Sequence, residues 1–265
     1  MTSVPATNEG YPMQDRTVAL TAILIIGAAS YVAAQAPAAV PEVWKACQSQ
    51  QADQALKACT QIIDGGTEVG AKLAQAYNLR AIVHQRMGQP DKAIADFGQA
   101  IQLMRDAGKS GFELAFIYFM RANTYRGKGD LDQAIADHSE SIRVAPGWDK
   151  SYNDRGAIYF QRGDLARALD DISKVISFRP DSPRVADSYA IRAMLHHRMR
   201  DPAKGLPDAD RAIELNARSA MALYIRAEIF AALGRSEEAA AGMRAALAID
   251  ARIKDQMDAF ERAGK

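Results

Sequence analysis

Five arginines, Arg80, Arg121, Arg155, Arg192 and Arg226, recur along the chain, and an aspartate stands sixteen residues after four of them: Asp96, Asp137, Asp171 and Asp208. Gly242 takes that place after Arg226. A row of guanidinium groups can do one of two things. Left free, it grips an anionic ligand. Matched one for one with carboxylates, it is neutralised inside the fold, each planar fork donating to both carboxylate oxygens. The co-occurring aspartates favour the second reading, a structural Arg–Asp ladder.

Other chemistry finds little support. The histidines are His84, His138, His196 and His197. His196 and His197 are adjacent, so on a helix they point to different faces and do not share a metal. His84 and His196 stand four residues after a row arginine, where the other copies carry Tyr125, Tyr159 and Phe230, so packing explains them. Gly127-Lys128-Gly129-Asp130 lacks the preceding strand of a phosphate-binding loop. No Ser/His/Asp or Cys/His constellation stands out, and a non-catalytic protein without metal or cofactor is expected. Cys47 and Cys59 are the two cysteines, twelve residues apart around a polar QSQQAD stretch. If two antiparallel helices flank that stretch, the thiols form a disulfide or remain a buried free pair. No CxxC redox site is present.

The elements that position these residues follow from the arginine register. Two of the intervals between successive arginines are 34 residues and the others are 41 and 37. A small residue follows each arginine (Ala81, Ala122, Gly156, Ala193, Ala227), and eight residues on comes Gly88, Gly129, Gly163 or Gly234, with Arg200 the exception. Thirteen on stands Ala93, Ala134, Ala168 or Ala239, with Gly205 the exception. Self-similarity at such a period sets the whole fold. In the cleanest copy, 149–182, Tyr152, Gly156 and Tyr159 mark one face of a helix, and Gly163-Asp164 ends it and caps the next. Ala168, Ile172, Val175 and Ile176 line the second helix, and Pro180 follows its end. Helix–turn–helix units with a short loop stack as antiparallel pairs.

The run SYNDRGAIYFQRGDLARALDDI (151–172), with its aromatic, small residue, aromatic, Gly-Asp, Ala order and late proline, resembles the tetratricopeptide repeat family. The resemblance covers roughly 74–251 and a weaker unit over about 41–65. It implies an all-α, right-handed superhelical solenoid that holds a peptide or partner helix in a concave groove lined by the first helices, with no catalytic residues. The expected units are 74–107, 115–148, 149–182, 186–219 and 220–251. A degenerate hairpin containing Cys47 and Cys59 precedes them within 35–73, and a capping helix covers the end at 252–265. On this alignment the groove is lined by Asn78 and Gln85, by Phe116, Phe119, Asn123 and Arg126, by Lys150, Asn153 and Phe160, and by His197 and Tyr224. Phe116 and Phe119 exceed what the repeat requires; either they form a binding hot spot or they pack under the 106–112 insert (DAGKSGF). The family's carboxylate clamp of Lys, Asn and Arg is not reproduced.

Two departures carry expectations. Pro207 inside the second helix of the fourth unit predicts a kink or a late start at Pro207 itself, and with Gly205 marks that unit as the softest. The insert 106–112 predicts longer flanking helices. At the amino terminus, Val18 to Ala34 is uncharged and largely apolar behind Arg16, with small residues at Val32 and Ala34. This reads as a cleaved export signal, with an uncleaved membrane anchor over 1–34 as the alternative; translation starts at Met1 or Met13. Charged residues make up 25% of the chain, the net charge is +1, and no basic stripe appears, which excludes nucleic acid as the default partner. The resulting expectation is a protein-binding adaptor in the periplasm or cell envelope. The alternatives are an inner-membrane-anchored form, a self-associating scaffold using an apolar face on Ile253, Met257 and Phe260, or an enzyme or small-ligand binder with an unrecognised groove site.

Overall fold

A computed structural model of the chain describes residues 40–263; the expected signal or anchor over 1–34 lies outside the described residues. Among these residues there is no strand, and no helix is long and apolar enough to cross a membrane. A first pair, α1 (Val40–Cys47) and α2 (Ala52–Asp64), precedes five longer ones. These are α3 (Gly70–Arg86) with α4 (Pro90–Asp106), α5 (Phe112–Lys128) with α6 (Leu131–Val144), α7 (Asp149–Gln161) with α8 (Leu165–Phe178), α9 (Ala186–Arg198) with α10 (Pro202–Leu215), and α11 (Ala220–Ala232) with α12 (Ser236–Ile249). A 3-10 turn, Pro183–Val185, precedes α9, and α13 (Ile253–Ala263) closes the array. The two helices of each hairpin pack on one another and the second packs on the first helix of the next hairpin, so the fold is an all-α helical-repeat solenoid.

Each turn between the helices of a unit uses the same backbone solution. Gly88, Gly129, Gly163 and Gly234 adopt φ of 68°, 87°, 73° and 76°. The amide after each glycine donates to the carbonyl of the ring residue four before it, as in Asp164 N to Tyr159 O at 2.9 Å. Satisfying a carbonyl at the helix end through a left-handed residue is the Schellman arrangement. Arg200, without glycine's freedom, is held at φ 67° in the same place, with Asp201 N bonded to His196 O at 3.0 Å. Asp164 then caps α8 by accepting from Arg167 N.

Packing corrects the reading of the fourth unit. The helix α10 begins with Pro202 in its first turn and runs on through Pro207, so it does not start late. Pro207 is exposed, and the carbonyl its missing N–H leaves without a donor belongs to Ala203, also exposed. Gly205 has its own cause: a Cβ there would lie 2.6 Å from the Ala193 carbonyl oxygen and 3.1 Å from Ile229 Cδ1. The two backbones cross too closely for alanine, a tight contact in the unit expected to be softest. The helices that flank 106–112, α4 and α5, each have 17 residues, as does α3 before them, against 14 in α6 and 13 in α7.

The ends differ. Cys47 and Cys59 are joined as a disulfide with Cα atoms 4.8 Å apart, fully buried between α1 and α2 beside Ala58, Ile62 and Ala76. On α13, Ile253 and Met257 are 4% and 5% exposed. They are therefore spent on the array's own core and supply no apolar docking face, which corrects the expectation attached to them; the side chain of Phe260 lies outside the described set.

Candidate binding groove

The ladder arginines are occupied. Arg80 Nε and Nη2 each donate to Asp96 at 2.8 Å; the corresponding distances are 2.7 and 2.8 Å for Arg121–Asp137, 2.9 and 2.7 Å for Arg155–Asp171, and 2.7 Å twice for Arg192–Asp208. The third nitrogen reaches the second helix of the preceding hairpin, from Arg80 to Thr60 at 3.3 Å, Arg155 to Ser139 at 2.8 Å and Arg192 to Ser173 at 3.5 Å. Each of these four guanidinium groups also lies 5.4 to 5.8 Å from the ring of the tyrosine three residues earlier. The bonds to Asp96 and Asp208 hold Arg80 and Arg192 above the usual guanidinium range. A charge so engaged is a clamp between helices and is closed to an anionic ligand.

Recesses open instead between the first helices. One of about 580 Å³ separates α3 from α5, with Ala71, Met104, Phe116 and Ile117 below and Lys72, Gln75 and Glu113 at its rim. A narrower one of about 260 Å³ lies between α7 and α9, floored by Phe160, Ile191 and Leu195 and bordered by Arg126 and Asn153. A third, about 620 Å³, reaches α11 and mixes Lys150, Arg179 and Arg184 with Asp149, Asp154 and Asp187 over Val175, Phe178 and Met221. Asn78 and Phe116 thus fall in the first recess, Arg126, Asn153 and Phe160 in the second, and Lys150 and Asn153 in the third.

The remaining expected lining residues are placed differently. Gln85 donates to Thr124 Oγ1 and to Met120 O, tying α3 to α5, so its amide is spent within the scaffold. Phe119 packs on His138 and Trp148, ring centroids 5.7 and 5.8 Å away, and acts as a wedge between units. Tyr224 is 6% exposed within the core, and Phe160 is 5% exposed with the Arg198 guanidinium 4.8 Å from its ring. Asn123 and His197 are half-buried, with Oδ1 and Nδ1 enclosed.

The aromatic surplus is real, but its centre is Trp148, in the connection before α7. Phe112 meets Trp148 edge-on at 4.2 Å, Phe116 does so at 6.5 Å, and Lys150 Nζ lies 5.6 Å from the Trp148 ring. Phe112 remains 60% exposed beside the first recess. Phe116 and Phe119 therefore pack on the following connection. Trp148 and Phe112 stand outside the periodic positions of the repeat; a tryptophan in a short Ala-Pro-Gly-Trp linker was the available signal. His138, fully buried opposite Phe119, has neither ring nitrogen bonded, and burial first, with Arg126 and Arg155 adding to it, lowers its pKa to about 3. Among the described residues, no three His, Cys, Asp or Glu side chains converge as a metal site.

Sequence models described as tetratricopeptide repeat match residues 72–146, 119–183 and 192–252. No protein of curated function matches the sequence. Among solved structures, the C-terminal part of a TPR repeat-containing protein from Cytophaga hutchinsonii aligns with a TM-score of 0.65 at 14% identity, over 80% of this chain and 79% of that one. YrrB, a TPR protein with an unusual peptide-binding site, aligns with a TM-score of 0.59 at 17% identity, over 74% and 93%. MamA from Desulfovibrio magneticus aligns with a TM-score of 0.58 at 14% identity, over 67% and 94%. At these identities the likeness concerns the fold.

Proposed function

The chain belongs to the tetratricopeptide repeat family and is a protein-interaction scaffold, and we propose that it binds an extended peptide or partner helix along its first helices, without catalysis, in the cell envelope. The observation that carries the groove reading is the aromatic corner. Phe112 exposes its ring beside the recess between α3 and α5 and packs edge-on against the half-buried Trp148, whose ring carries Lys150 next to it. Desolvated aromatics bordered by polar and cationic groups are the usual anchors of protein interfaces. The occupied ladder supports the same assignment, because the surface left for recognition is the one lined by α3, α5, α7 and α9. The bonded Cys47–Cys59 pair supports an oxidising compartment, where such bonds persist, and agrees with an export segment over 18–34.

The test is an affinity pull-down from an envelope extract with the full chain, run beside a Phe112→Ser, Lys150→Glu variant. Both positions are exposed, so the variant keeps the core. A protein retained by the first bait and lost from the second supports the groove, and identical retention by both refutes it. An alkaline phosphatase fusion at the carboxyl terminus tests export separately: an inactive reporter in intact cells overturns the envelope assignment.

A further inference from the structure

Arg226 is the one row arginine without a carboxylate at the sixteenth residue beyond it. In the four other units that carboxylate takes both Nε and Nη2 of the guanidinium at 2.7 to 2.9 Å. Arg226 keeps only the backward bond of the set, from Nη1 to Asp210 at 3.1 Å, and its Nε is buried with no hydrogen-bond partner. The cause is Gly242 on α12. A Cβ built there points at the Ala227 Cβ, 3.1 Å away. That is the direction taken by the Asp171 Cβ, which lies 3.3 Å from the equivalent Cβ position at Gly156. The backbone of the fifth unit is therefore set to present a carboxylate to Arg226 and lacks only the side chain. Glu238, another carboxylate within range, is held by Arg235, which stacks on Phe230. The charge of Arg226 is paired with Asp210, but a buried N–H donor left without an acceptor favours whatever anion restores its bond.

We infer that Arg226 is a carboxylate-binding site: it takes a carboxylate supplied from outside its own hairpin into the position that Asp96, Asp137, Asp171 and Asp208 fill in the other units. Its bidentate N–H pair selects a planar two-oxygen acceptor over a spherical anion. The source of the group is either a free carboxylate or an Asp, Glu or terminal carboxylate on a second protein molecule, and the chemistry at Arg226 is the same for each.

The experiment follows the arginine Nε–H signals by nuclear magnetic resonance, with Arg226→Lys assigning the relevant one. The full chain is titrated with sodium acetate against sodium chloride at constant ionic strength. The expected result is a saturating downfield shift of the Arg226 Nε–H with acetate only, while the four ladder signals stay in place. A Gly242→Asp variant should show that shift already complete and insensitive to acetate. If its Cβ contact prevents folding, Gly242→Asp with Ala227→Gly recreates the Gly156–Asp171 arrangement. A signal already shifted at high protein concentration, returning on dilution as sedimentation shows dimers dissociating, identifies a second copy as the source. A signal unmoved by both acetate and dilution overturns the inference, as does an equal response to acetate and chloride.

Discussion

Removing Asp171 tests whether the ladder is a stability element. Arg155 gives it bonds of 2.9 and 2.7 Å and gives Ser139 on α6 a third of 2.8 Å. The carboxylate side is 6% exposed and the guanidinium 18%. Charge-assisted bonds contribute about 1.5–3 kcal/mol each, and breaking a fully buried pair from one side costs about 3–5 kcal/mol. Arg155 retains some water contact, so we expect Asp171→Ala to cost about 2–3 kcal/mol. Arg155→Ala should cost a similar amount, because it strands the more deeply buried carboxylate and cuts the tie to α6. For a chain of this size the loss corresponds to about 5–10 °C in Tm. The double variant loses one interaction once, so its cost should be about 3 kcal/mol, with a coupling of about 2 kcal/mol in the cycle. Arg226→Ala is the internal control: with a single bond to a half-exposed Asp210, it should cost about 1 kcal/mol or less. Urea denaturation followed by circular dichroism measures all four. Additive losses at Arg155 and Asp171, or a cost at Arg226 equal to that at Arg155, would refute the ladder as the source of the stability.

Three further outcomes come from single positions. Arg200 sits at φ 67° where the other units have glycine, so Arg200→Gly should raise stability by about 1 kcal/mol, and a melting temperature unchanged or lowered would show that the side chain repays the strain. Gly205→Ala places a methyl group 2.6 Å from the Ala193 carbonyl oxygen and should cost about 1–3 kcal/mol by overpacking, against the gain of similar size expected from Gly→Ala on an open helix face; a stabilised variant would mean that α9 and α10 separate easily. His138 has a folded pKa lowered to about 3 from 6.5. Above pH 6.5 both states are neutral and nothing is lost; below it the unfolded chain takes the proton first, so stability falls by about 1.4 kcal/mol per pH unit until the folded pKa is reached. His138→Met should flatten that slope between pH 6 and 4, measured by urea titration at each pH, and an unaltered slope would place the acid sensitivity elsewhere.

What was legible in the sequence is what repeats. The arginine register located the turns of the five long hairpins, and the sixteen-residue offset located the partners of Arg80, Arg121, Arg155 and Arg192, because an antiparallel hairpin leaves little choice of geometry. At Pro207 propensity left a kink or a late start open, and the structure removes the late start: α10 runs on from Pro202, Gly205 lets it lie against the α9 backbone, and the proline faces solvent. The groove was legible only in outline. Helical phase identified the helices that line it, but Phe119 and Gln85 were drawn inward by Trp148, His138 and Thr124, partners at no fixed offset from the arginine. Tyr224 is buried for a different reason, since α9 and α11 approach closely there and the surface expected to be open is closed by a neighbour.

The two faces of each unit therefore answer to different constraints. Each ladder arginine joins its own hairpin through an aspartate, and Arg80, Arg155 and Arg192 also reach the preceding hairpin through the third nitrogen, so these side chains set both intrinsic and nearest-neighbour stability, the two quantities on which a one-dimensional array depends. That double duty keeps its spacing periodic. The surface lined by the first helices carries no such duty, and there the sequence is free to vary from unit to unit: Gln75, Phe116, Lys150, Asp187 and Met221 occupy equivalent places five residues before the arginines. Five different side chains at one structural position form a surface with direction and register, apolar and aromatic at the α3–α5 end and mixed in charge beyond α7. The proposed ligand, a peptide or partner helix, is itself an extended, non-repeating chain and would match such a surface better than a small symmetric ligand.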